Sequence, residues 1–111
     1  MRLQIEVTER DIRLGTPEDS TYCPIARSVK RKLELRGTKA KRLMVANGAV
    51  EFEKAENDDW WNKDTPLATL PAAAVKFMSD FDNKRPVKPF SFFAIFHKAR
   101  AKSVGLTLPT A

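Results

Sequence analysis

Leu3, Ile5 and Val7 alternate with Arg2, Gln4, Glu6 and Thr8 at the start of the chain, the period of two that a strand with one buried face requires. A polar connection through Gly15 and Thr16-Pro17 leads to Pro24, which suits the first turn of a helix because a backbone N–H would have no partner there. The spacing then changes to that of a helix running to about Arg36. Ile25, Val29 and Leu33 recur every four residues with Ala26 beside them, while Arg27, Lys30, Arg31 and Glu34 take the opposite side. Gly37 is the expected stop.

Asn47-Gly48 sits between two apolar runs and suits the paired positive φ angles of a type I′ turn, so a tight hairpin is expected. A two-residue loop sets its register: Ala46 opposite Ala49, Val45 opposite Val50, Met44 opposite Glu51, Leu43 opposite Phe52 and Arg42 opposite Glu53. Leu43, Val45, Val50 and Phe52 then share one face, and Arg42 meets Glu53 across the other. After a polar loop containing Trp60-Trp61, a second helix begins near Leu70-Pro71 with Leu70, Ala74, Phe77, Met78 and Phe81 on one stripe. Pro86 and Pro89 end it, and Phe90 to Phe96 reads as a last strand, apolar on both faces and therefore central or covered. Leu43, Val45, Val50, Phe52, Phe77, Phe81, Phe90 and Phe92 are expected to share one core. The order is βαββαβ: an α+β fold with a four-stranded antiparallel or mixed sheet and two helices packed on one face.

Length agrees with that reading, since 111 residues supply one core. The expected division is a single domain over residues 1–97 and a basic C-terminal tail over 98–111. No run approaches the roughly 18 apolar residues of a membrane helix, and no signal peptide follows Met1, so the chain reads as cytoplasmic with no membrane partner. One cysteine and one histidine exclude an internal disulfide and a histidine–cysteine zinc site. Charge sharpens the picture more. The net charge of +6 is unevenly spread, because residues 24–42 hold eight basic groups against Glu34 alone, whereas residues 43–74 hold two against six acids.

Several of these segments together carry a resemblance. Asp11-Ile12 followed by Gly15, Cys23-Pro24-Ile25-Ala26 opening a helix, Leu70-Pro71 opening another, then Phe81-Asp82, Pro86-Val87 and Pro89-Phe90-Ser91-Phe92 resemble a group of small proteins encoded by bacteriophages and prophages, over most of residues 5–92. Those proteins have no assigned biochemical role. The resemblance implies a phage accessory product acting in the host cytoplasm, and it transfers no catalytic residue. The Trp60-Trp61 loop and the basic stretch after Phe96 depart from the pattern.

Catalytic chemistry finds little to work with. His97 is the one imidazole, it stands at a strand end beside Lys98, and no nucleophile elbow is present. Cys23 at a helix start could carry thiolate character, or it could be a small buried side chain fixing that start. Asp58-Asp59, Asp80 and Asp82 lack the spacing of a calcium loop, and four glycines assemble no phosphate loop. No metal, no cofactor and no enzymatic activity are expected.

Binding is the better supported class. Arg27, Lys30, Arg31, Arg36, Lys39 and Lys41 form a basic surface suited to an anionic partner, a nucleic acid or a nucleotide, unless they are simply a solvated helix face. Because Arg27 and Arg31 lie opposite the apolar stripe, reversing their charge is expected to weaken binding and spare the fold. The alternative is an inhibitor that docks on a host protein or captures a host signal molecule, using Trp60, Trp61, Phe93 and Ile95 as its interface. The same aromatic groups would serve a homodimer, or Trp60 or Trp61 would fold back over Phe93 and Ile95.

Overall fold

The computed structural model describes residues 1–53 and 65–110. In chain order these form β1 (Arg2–Val7), α1 (Glu9–Leu14), α2 (Pro24–Lys32), α3 (Gly37–Lys41), β2 (Leu43–Ala46), β3 (Ala49–Phe52), β4 (Ala68–Thr69), α4 (Ala72–Asp82), β5 (Phe90–Phe96) and α5 (Lys98–Ser103). The class is α+β. Among the described residues the sheet has five strands, not the four expected, in the order β1-β5-β4-β3-β2 with every neighbouring pair antiparallel, and there are five helices, not two.

β5 is an interior strand between β1 and β4, but only one of its two apolar faces is buried. It pairs with β1 through Leu3 opposite Ala94 and Ile5 opposite Phe92, and Met1 and Phe96 exchange backbone hydrogen bonds at 2.6 and 2.7 Å. On its other side the two-residue β4 sets Ala68 opposite Phe96 on β5 and opposite Val50 on β3, and so joins the β2–β3 hairpin to the rest of the sheet. The hairpin has the expected register throughout, turning at Asn47 (φ 53°) and Gly48 (φ 75°). The Arg42 contact differs in detail: its guanidinium lies 4.7 Å from the Phe52 ring centre and donates to the Glu53 carbonyl, not to the carboxylate.

One face of the sheet carries the core. Leu3, Ile5, Leu43, Val50, Phe52, Ala94 and Phe96 lie there with Ile25, Ala26 and Val29 of α2, all buried. α2 packs against both β1 and β2, the two edge strands, so the sheet curls around it. Neither edge is left bare: Arg31 donates to the Glu6 carbonyl on β1, and the Val45 N–H on β2 donates to the Ser20 carbonyl. α4 covers the other end of this face by stacking Phe77 on Phe90 at 4.8 Å between ring centres, while Phe81 and Phe90 are only partly buried against the core.

The helix expected to reach Arg36 stops at Lys32. Glu34 adopts φ 56°, its N–H bonds the Arg31 carbonyl and the Leu35 N–H bonds the Lys30 carbonyl, the paired bonds of a Schellman cap. Gly37, the expected stop, instead opens α3. Residues 98–110, read from the sequence as a basic tail, contain α5, with Arg100 and Ala101 buried and Leu106 and Leu108 packed partly against the core.

Candidate anion-binding surface

The basic block of residues 24–42 divides into two parts with different surroundings. The first is organised by α1, which begins with a reciprocal cap: the Asp11 N–H donates to Thr8 Oγ1 and the Thr8 N–H to Asp11 Oδ2. This fixes the Asp11 carboxylate in a fully buried position facing α2. Arg31 meets it with two parallel hydrogen bonds, Nη1 to Oδ1 at 2.8 Å and Nη2 to Oδ2 at 2.7 Å. The Arg27 Nε lies 3.5 Å from Oδ1, an ion pair without a hydrogen bond. Burial alone would raise the Asp11 carboxyl; the Arg31 guanidinium and the Thr8 N–H outweigh it and hold the group below its ordinary range. Lys30 is engaged as well, its ammonium donating to the Thr21 carbonyl and lying 4.7 Å from the Tyr22 ring centre.

Lys30 and Arg31 therefore spend much of their donor capacity inside the molecule and Arg27 is ion-paired there, although the Arg31 side chain is still 50% exposed. The expectation that charge reversal at Arg27 and Arg31 spares the fold is overturned. A glutamate at position 31 would stand beside a buried carboxylate that has lost its bidentate partner.

The second part is different. Lys32, Arg36, Lys39 and Lys41 are all exposed, and among the described residues none of them has an ion-pair partner. The early end of α2 turns the chain so that Lys32, Arg36 and Lys39, with Glu34 among them, line a groove of about 410 Å³ against residues 105–109, over Leu33, Leu35 and Leu106. Lys32 and this opposing wall were not singled out by the sequence. Lys32 could have been, from its place in the same basic run, but nothing in the spacing of Gly105 to Pro109 marks their return to α2.

The other candidate surface is less complete. Phe93 and Ile95 lie on the open face of the sheet, 43% and 53% exposed, with the Arg2 guanidinium 4.0 Å from the Phe93 ring centre. Trp60 and Trp61 lie outside the described residues, and so do Asp58 and Asp59. Among the described residues no cluster of three or more His, Cys, Asp or Glu could hold a metal, and no helix is long and apolar enough to cross a membrane. Asp80 is paired with Lys76 and Arg85 at 2.7 and 2.8 Å.

The two groups closest to nucleophilic chemistry both cap helices. Cys23 is fully buried, its sulfur accepts from the Ala26 N–H at 3.3 Å, and burial pushes the thiol up to about 11. His97 Nδ1 accepts from the Arg100 N–H at the start of α5. Comparison with protein-family models, with curated proteins and with solved structures returns no match.

Proposed function

We propose that the chain is a non-catalytic binding protein that takes the phosphate backbone of a nucleic acid on the surface formed by the end of α2, α3 and residues 105–109. One observation carries the reading: four neighbouring cations, Lys32, Arg36, Lys39 and Lys41, are exposed and have no internal ion-pair partner among the described residues. Cations left free on a rigid frame can exchange their counterions for phosphates without breaking a contact of the fold. The exposed parts of Arg27 and Arg31 extend the positive field without needing to touch the ligand. The residue pattern from Asp11 to Phe92 that resembles phage proteins makes a phage accessory protein of the host cytoplasm our reading of its setting.

A second reading has its own observation. Phe93 and Ile95 leave an apolar patch on the open sheet face, which favours docking on a host protein or pairing with a second copy.

Retention of duplex DNA, single-stranded DNA and RNA at about 50 mM salt and above tests the first reading. Affinity for at least one of them should fall steeply with salt, and absence of salt-sensitive retention by all three would end it. A Phe93→Ser/Ile95→Ser variant should bind as the parent does; if it loses the partner instead, the second reading takes over.

A further inference from the structure

The largest described cleft lies at the other end of α2 from the basic groove and has the opposite character. It measures about 530 Å³ and is formed by the loop before α2, the turn of the β2–β3 hairpin and one side of α4. Its floor is apolar, made by Val45, Leu70, Val75 and Met78, and Val75 is left 43% exposed. Carboxylates stand over this floor. Asp19 is committed to its own turn, accepting the Thr21 and Tyr22 N–H groups. Asp82 accepts the Glu18 N–H at 2.9 Å, which ties the loop to α4. Among the described residues neither Glu18 nor Asp82 has a cationic partner, although the chain carries twenty lysines and arginines.

An apolar floor under two uncompensated carboxylates selects a ligand that combines an apolar stem with a cationic head. A lysine or arginine side chain has that form: its methylenes can lie on Val75 and Met78 while its charge meets Glu18 and Asp82. Neighbouring apolar side chains of the same segment would cover Val45 and Leu70. We infer that this cleft is a docking site for a peptide segment of a partner protein bearing a basic residue among apolar ones, and that it works independently of the anion-binding surface. The overall charge of +6 works against general attraction of basic peptides, so uptake at the cleft would rest on its local carboxylates.

The test uses the full chain, isotopically labelled, and a blocked hexapeptide of alternating leucine and arginine. Amide shifts should move at Ser20, Asn47, Gly48 and Val75 with saturation, and affinity should weaken as salt rises. Peptides with glutamate for arginine, or serine for leucine, should leave those amides in place. Glu18→Gln/Asp82→Asn keeps the acceptor for the Glu18 N–H and should bind at least about tenfold more weakly. Val75→Lys, at a half-exposed position, should abolish binding by placing a tethered cation in the cleft. The inference fails if nothing moves up to about 1 mM peptide, if the shifts map elsewhere, or if both variants bind like the parent. It also fails if the same amides shift with protein concentration alone, since the occupant would then be a second copy of the chain.

Discussion

The two parts of the basic block have the same residue types and nearly the same count, yet they meet different surroundings. Arg27, Lys30 and Arg31 lie where α2 passes α1 and the loop at Thr21, and they are drawn to Asp11, to backbone carbonyls and to a tyrosine ring. Lys32 ends α2, and Arg36, Lys39 and Lys41 follow the Schellman cap at Glu34, where the chain has turned away; among the described residues none of the four is ion-paired, and Glu34 is the one acid beside them in the groove. The contrast teaches that a run of positive charge along a sequence measures supply. What decides between scaffold and binding surface is where the acids of the other elements fall.

The largest way to break the comparison is to reverse one cation from each part. Arg31→Glu should cost about 3–5 kcal/mol in urea denaturation, because it leaves Asp11 buried without its bidentate partner. Lys39→Glu should stay within about 0.5 kcal/mol, as exposed substitutions away from such features do. Equal costs would mean that the division has no energetic content.

Gly15→Ala strikes the same junction through sterics. A β-carbon there would come within 2.7 Å of the Pro24 ring and of the Asp11 carbonyl oxygen, so about 1–3 kcal/mol of destabilisation is expected by thermal melting.

Acid provides a milder probe. The Asp11 carboxyl is held below its ordinary value of 3.8 in the fold, so its contribution is complete above that pH. It is lost as pH falls through the lower folded value. Asp11→Asn should therefore be less stable than the parent at neutral pH, and the gap should close on acidification below about pH 4. A gap that stays constant with pH would remove the ion pair from the account.

The smallest effect concerns the seam between the parts. Glu34 holds a left-handed conformation that glycine adopts without penalty, so Glu34→Gly should raise stability by about 0.5–1 kcal/mol, read as a higher Tm. The same change removes the acid nearest in sequence to the free cations and should strengthen nucleic-acid retention slightly.

Much of the frame was legible in the sequence because its signals are local. The alternation of β1, the Asn47-Gly48 turn with its whole register, the α4 stripe and the two-faced β5 all follow from periods of two or 3.6. What escaped was short or non-local. β4 is two residues between Pro66 and Pro71, too brief to show alternation, yet it joins the two halves of the sheet. α3 and α5 span only five and six residues. α1 did carry a mark, Thr8 three residues before Asp11, which is a capping pattern with aspartate in place of the usual glutamate. Taken with the Arg27 and Arg31 positions it could have pointed to their pairing, but nothing in the spacing sets Asp11 against a helix twenty residues away. The candidate surface was accordingly half legible: Arg36, Lys39 and Lys41 were named from charge, while the groove that sets Arg36 and Lys39 beside Lys32 depends on where residues 105–109 return.

The central claim is that the free cations bind and the engaged ones build. The most direct measurement is the slope of log affinity against log salt for the best-retained nucleic acid, compared between the parent and Arg36→Glu/Lys39→Glu/Lys41→Glu. On duplex DNA each contacted phosphate contributes about −0.9 to that slope. The account predicts that the triple variant melts as the parent does while its slope becomes shallower by about two to three units. A variant that keeps the parental slope would contradict it.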